Sequence, residues 1–167
     1  MKWLLVLFVT LFHFRSFAQQ NTTPCSAPEA SQFDFWVGNW NLTWNDSLHG
    51  TNHIEKLYGN CTIHENFKDP RSNFLGQSWS VYNPVAKLWQ QTWIDNQGGY
   101  IVLTGNKEGN SIILKTQERA TPNGKRQMRM VYENITPNSF DWKWEQTTDS
   151  GITWKTNWLI HYKRAGN

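Results

Sequence analysis

The chain has 167 residues, 16 Lys and Arg against 13 Asp and Glu, and 15 % aromatic residues, with tryptophan alone at eleven positions. Its formal charge of +3 arises without any basic run, so the electrostatic term that dominates polyanion affinity is missing and nucleic acid is not an expected partner. The length suits one domain with a single core.

From the N-terminus, Met1-Lys2 leads into a largely apolar run from Trp3 to Phe12, followed by Arg15-Ser16-Phe17-Ala18 and the polar Gln19-Gln20-Asn21. This has the layout of a signal peptide over residues 1–18, with cleavage expected after Ala18 and the working protein secreted or periplasmic. The run is shorter than the roughly 20 apolar residues that a bilayer requires, and no later stretch reaches that length, so no membrane span is expected. Cys25 lies seven residues past Ala18, too far for a lipid anchor at the cut. Loss of Lys2 and Arg15 lowers the formal charge to +1, and the apparent basicity largely goes with them. In an oxidising compartment the two cysteines, Cys25 and Cys61, are expected to form a disulfide. Two cysteines make no zinc site, which needs four ligands, and no metal is expected.

Residues 19–35 form an N-terminal segment with one short helix. Ser26-Ala27-Pro28-Glu29 has the hydroxyl and the Glu three positions on of a capping box, which predicts a helix from Ser26 to about Phe35.

Residues 36–167 alternate in character between closely spaced turn signals such as Asn83-Pro84, Gln97-Gly98-Gly99, Pro122-Asn123-Gly124 and Asp149-Ser150-Gly151. Turns at such even spacing imply about ten strands joined as hairpins. No helical patterns of ordinary length alternate with them, which argues against a parallel α/β sheet. The fold class is all-β, as an antiparallel up-and-down β-barrel whose closure removes exposed strand edges.

Period-two spacing assigns the faces. Trp36, Gly38, Trp40, Leu42 and Trp44 share one side of the first strand, and Trp154, Thr156, Trp158, Ile160 and Tyr162 one side of the last. Trp89, Gln91, Trp93 and Asp95 alternate in the same way, as do Phe140, Trp142 and Trp144. One face is aromatic and the other wet. We therefore expect a cavity lined or closed by Trp40, Trp79, Trp89, Trp93, Trp142 and Trp158. Gln91, Asp95 and Arg129 would orient the polar end of a small apolar or amphipathic ligand. Arg129 lies with Val131 and Glu133, opposite Met128, Met130 and Tyr132, a strand whose inward phase the pattern leaves open.

Phe33-Asp34-Phe35-Trp36-Val37-Gly38-Asn39-Trp40 carries a Gly-x-Trp at the start of the first strand, after a short helical turn. This resembles the opening of lipocalin-like, or calycin, barrels, in which the Trp closes one end and a basic residue of the last strand packs near it. The resemblance gives Arg164 that place. Further likeness lies in Gly76-Gln77-Ser78, the stretch from Trp89 to Gly98, Gly105, and Asp149-Ser150-Gly151-Ile152-Thr153-Trp154. With these, the chain from Phe33 to Arg164 resembles a secreted bacterial family of unknown function with a lipocalin-like barrel. That family has no established catalytic residues to transfer. A related barrel family binds haem through a histidine near its C-terminal strands, and His161 is the counterpart by position. Its phase with Lys163 places it outside, and the Gly-rich Trp motif of that family is absent, so no cofactor is expected.

Other motifs carry less. Thr147 to Trp154 fits an Asp-box, but it occurs once, without the repeats a propeller needs, and Asp149 is expected to bond its own turn. His49, His53 and His64 lack the spacing of a metal motif. No Gly-x-Ser-x-Gly nucleophile is present. Asn-x-Ser/Thr sequons begin at Asn21, Asn41, Asn45, Asn60 and Asn134 and matter only in a glycosylating host. Two alternatives to ligand binding stay open. One is a small enzyme with Glu65, Asp95 or Glu118 as acid or base. The other is a carbohydrate-binding or structural surface module with exposed tryptophans. Oligomeric state is not legible in the sequence.

Overall fold

Buried and exposed side chains alternate along most of the strands of the structure, a computed structural model that describes residues 25–45, 47–122 and 124–166, with backbone alone at 47–49. The expected signal segment and its cleavage site lie outside the described residues. Eleven strands run in chain order: β1 (Gly38–Trp44), β2 (Ser47–Leu57), β3 (Thr62–Asp69), β4 (Phe74–Asn83), β5 (Leu88–Asp95), β6 (Tyr100–Glu108), β7 (Ser111–Lys115), β8 (Arg119–Thr121), β9 (Gly124–Glu133), β10 (Ser139–Thr147) and β11 (Lys155–Arg164).

Each strand pairs antiparallel with the next, except that the three-residue β8 bonds only to β9 and β7 passes its outer edge directly to β9. β11 pairs with both β10 and β1, with Trp40 opposite Arg164, and this closes a ring of ten strands. The expected antiparallel barrel of about ten strands is thus what forms. In β4 the pattern is plain: Gly76, Ser78, Ser80 and Tyr82 are buried inward, while Leu75, Gln77 and Val81 are exposed. No helix among the described residues is long and apolar enough to cross a membrane.

Side-chain chemistry sets the hairpins. Asn83 Oδ1 accepts the N–H groups of Val85 and Ala86, and Asn45, Asn60, Asn73 and Asn134 all take positive φ, a conformation that the short polar asparagine tolerates.

The N-terminal segment departs from expectation. Instead of one helix from Ser26 to Phe35, two 3₁₀ turns form, Pro28–Ser31 and Asp34–Trp36. Ala27 rather than Ser26 takes the N-cap position, and no side chain caps it. Tertiary burial wins over the local signal, because breaking the helix near Gln32 lets both Phe33 and Trp36 become fully buried. Phe33 meets Trp89 edge-on at 4.7 Å and Tyr132 at 5.1 Å, so the segment plugs one end of the barrel. The Cys25–Cys61 disulfide ties this plug to the β2–β3 hairpin, as expected. Lys56 Nζ adds an ion pair to Asp34.

Arg164 completes the closed end. Its Nη1 and Nη2 donate to the carbonyls of Val37 (2.8 Å) and Phe35 (3.0 Å), its Nε to that of Pro137 (2.8 Å), and its guanidinium lies 4.3 Å from the centroid of Trp40. Glycine suits this point, since Gly38 takes a φ of +129°, which other residues rarely adopt, and a Cβ there would come within 2.4 Å of Arg164 Nη1.

Candidate functional site

Halfway down the barrel, four successive strands each place a polar residue at an inward position that the period-two pattern would give to an apolar one. These are Asn52 on β2, Glu65 on β3, Ser78 on β4 and Gln91 on β5, all buried. They form a bonded belt. Asn52 Nδ2 donates to Glu65 Oε1 (2.6 Å) and lies 3.1 Å from the Tyr162 hydroxyl. Ser78 Oγ donates to Glu65 Oε2 (2.5 Å) and accepts from Gln91 Nε2 (3.1 Å).

Glu65 has no cationic partner among the described residues. Burial pushes its pKa from the ordinary carboxylate value up to about 7, against the hydrogen bonds from Ser78 and Asn52 and the charge of His64, which act to lower it. Burial first, and then the charge of Glu65, also raise the phenols of Tyr132 and Tyr162. The belt is therefore a low-dielectric site built around one carboxyl group.

Above the belt, at the end opposite the plug, lies a cavity of about 150 Å³. Glu65 and Tyr162 stand in its lining together with Phe67, Phe74, Trp93, Asp95, Ile101, Met130, Trp142, Trp144, Trp158 and Ile160. The tryptophans of this mouth are half-buried. Trp142 and Trp158 meet at right angles at 5.7 Å, and Trp158 packs edge-on to Phe67 at 6.0 Å and to Trp44 at 5.3 Å. Trp93 rests against the backbone of Gly76, where a Cβ would come within 2.0 Å of its Cζ2. Its indole Nε1 donates to Asp95 Oδ2 (3.0 Å), while Asp95 Oδ1 accepts the N–H groups of Gly99 (2.8 Å) and Gln97 (2.9 Å). Burial works to raise the Asp95 carboxyl, but these three donors outweigh it and hold it below the ordinary value.

The structure sorts the expected site residues into three groups. Trp93, Asp95, Trp142 and Trp158 line the cavity. Trp40 and Trp89 are buried at the plugged end, where Trp89 Nε1 donates to Gln32 and Trp40 Nε1 to the Trp36 carbonyl, and Gln91 belongs to the belt. Trp79 and Arg129 are corrections. Trp79 points outward with Gln77 and Val81 and stacks on His64 at 4.0 Å, because Ser78 and Ser80 take the inward phase of β4. Arg129 also faces out. Its Nε bonds Glu145 Oε2 at 2.6 Å across the β9–β10 ladder, and Trp154 covers the guanidinium at 4.0 Å, which leaves Met130 and Tyr132 to face inward.

Of the three carboxylates weighed for acid or base work, only Glu65 is both buried and uncommitted to a donor-rich turn or an ion pair. Glu118 pairs with Lys125 at 2.8 Å beside β8, outside the cavity. Asp149 accepts from Thr147 and Thr153, bonds that lower its carboxyl to about 2 and fold its own hairpin. His161 lies outside and pairs with Asp141 at 2.6 Å. His53 and His64 engage Asn39 and Glu55 on the outer surface, and the His49 side chain is outside the described residues. Among the described residues no group of three or more His, Cys, Asp and Glu side chains gathers as a metal site would require.

Sequence reasoning gives no place to the belt residue Asn52 or to an inward Ser78, and it puts Trp144, Ile160 and Tyr162 on the aromatic faces of their strands without assigning them to the site. One signal could have revealed them: a polar residue at the inward phase of four neighbouring strands. No family model matches the chain, and no curated protein matches it at a significant level.

Proposed function

We propose that the chain is an exported, lipocalin-like barrel that holds a small, largely apolar molecule in its aromatic mouth, with Glu65 rather than Arg129 at the polar end. The observation that carries this reading is the cavity of about 150 Å³ between four half-buried tryptophans and a buried carboxyl group, an apolar lining with a few placed polar groups. The lipocalin-like part is supported by the Gly38-Asn39-Trp40 corner under Arg164. Lipocalins proper have eight strands, so the likeness is in the seam geometry and not in the strand number. Export is supported by the apolar N-terminal run and by the joined cysteines.

Native mass spectrometry of protein recovered from its producing cells, with tryptophan quenching by the same extract, tests the binding reading. A one-to-one adduct that Ile101→Phe abolishes is the expected result. A protein that carries no adduct and whose tryptophans respond to no component would end it. Intact mass tests export, with a chain beginning at Gln19 expected and a retained Met1 the opposing outcome.

One observation favours a second reading, catalysis in the same cavity. A carboxyl group held near neutrality beside a ligand-sized space is suited to general acid or base work. Turnover of a bound compound that disappears in Glu65→Gln, with binding kept, would move the assignment to an enzyme.

A further inference from the structure

Among the described residues, the cavity lining contains two carboxylates, Glu65 and Asp95, and no lysine, arginine or histidine. Nearby bases are already committed outside: His64 stacks on Trp79 and bonds Glu55, and Arg129 pairs with Glu145. Glu65 is only 6 % exposed, and its oxygens are met by the neutral donors Asn52 and Ser78 alone. A buried carboxylate without a counter-charge is costly.

The other polar atoms of the belt add acceptors. Asn52 Oδ1 and Gln91 Oε1 are buried with no hydrogen-bond partner among the described residues. Neither residue lines the cavity, and among the described residues the buried donors Trp36 Nε1 and Ser80 Oγ are likewise unpaired, so the charge of the cavity itself is set by Glu65 and Asp95.

The walls have the complementary property. Trp142 and Trp158 stand at 87° to one another, and Phe67 and Trp158 at 80°. Four tryptophans, Trp93, Trp142, Trp144 and Trp158, line the cavity, and an indole is the side chain whose ring best attracts a cation.

We propose that the cavity takes a small organic ammonium ion, its nitrogen placed between Glu65 and the tryptophan walls and its apolar remainder directed to the mouth. This rests on the ligand-binding reading above and names the chemical class of the ligand. A space of about 150 Å³ is that of a cavity that holds benzene, so the ion carries a single ring or a short alkyl chain. A carboxylate ligand would face Glu65 and Asp95 with like charge, and a neutral alcohol would leave their charge unanswered.

Calorimetric titration of the intact protein at about pH 8.5, where both an alkylamine and Glu65 are charged, provides the test. The probes are 2-phenylethylammonium, 2-phenylethanol and 3-phenylpropionate, which share size and ring. The ammonium is expected to bind at least tenfold more tightly than the alcohol, and the carboxylate to give no heat. In Glu65→Gln the ammonium should lose at least tenfold in affinity, with an unchanged far-ultraviolet circular dichroism spectrum reporting that the variant is folded, and ammonium binding that survives in the folded variant would overturn the inference. Alcohol binding equal to ammonium binding in the wild type would overturn the ammonium inference and leave the cavity reading standing. Failure of all three probes to bind would overturn the ammonium inference, and the empty-handed native mass spectrum described above would separately end the cavity reading.

Discussion

Ser78 stands directly across the β3–β4 ladder from Glu65 and donates its hydroxyl hydrogen to Oε2 over 2.5 Å. The bond favours the charged form of a carboxyl group that has no cationic partner among the described residues, while burial pushes it the other way, toward its protonated form.

Folding stability should fall between about pH 4.5 and 7 because of Glu65. The folded value, about 7, lies above the ordinary 4.5, so the folded state holds the proton more tightly. The contribution is complete below about 4.5 and is lost as pH rises through about 7. The loss is on the order of 3 kcal/mol. Urea unfolding of wild type and Glu65→Gln at pH 5 and pH 8 isolates it, and a difference between the two proteins that does not change with pH refutes the buried titration.

Ser78→Ala should raise the Glu65 pKa further, by about one unit, since it deletes a donor that favours the charged form. The carboxyl stretch followed by infrared difference spectroscopy across pH reads this directly. An unchanged or lowered midpoint would mean that the hydroxyl does not serve the carboxylate.

Gly76→Ala should displace Trp93. The added Cβ would come within 2.0 Å of the indole, which must swing toward the cavity to make room. Overpacking of this kind costs about 1–3 kcal/mol. A red-shifted tryptophan emission and a lowered urea midpoint are expected together, and a silent substitution would show that the indole rests elsewhere.

Replacing Arg164 with Met should cost about 2–4 kcal/mol, because three carbonyl acceptors lose their donor and Trp40 loses its cation. Lys should restore less than half of this, having no planar fork to reach Phe35, Val37 and Pro137 at once. Thermal melts of the two variants decide the point.

Opening the Cys25–Cys61 bond should cost about 4 kcal/mol by the chain-entropy account for a loop of this length, the two cysteines lying 36 positions apart in sequence. Chemical denaturation of a Cys25→Ala/Cys61→Ala variant measures it, and a loss under about 1 kcal/mol would mean that the plug stays docked without its tether.

Much of the barrel was legible because hairpin chemistry is local. Asn83 and Asp95 each bond the backbone they turn, and the alternation of Trp89, Gln91 and Trp93 needs no distant partner to be read. The N-terminal segment was not legible in this way, since its shape is set by the pocket that receives Phe33 and Trp36. Phase also failed where both faces carry bulky residues. Trp79 has the size of a core residue, yet the small inward Ser78 and Ser80 leave room for Glu65 and Gln91 and send Trp79 to the surface. Arg129 found a carboxylate one strand away, at Glu145, and a pairing across a ladder is invisible until the register is known. The polar belt was hidden for the same reason, because its members come from four strands and join only when the ladders align.

The seam where Trp40 faces Arg164 joins strands 124 positions apart in the chain. A ribosome or a translocation pore delivers β1 long before β11, so the first strand and the plug beneath it must wait with one edge open until nearly everything else has emerged. Such a late, long-range closure is slow, and it exposes an aromatic interior in the meantime. The protein's most vulnerable moment is therefore its birth, and variants at Arg164 should be detected first as poor yield.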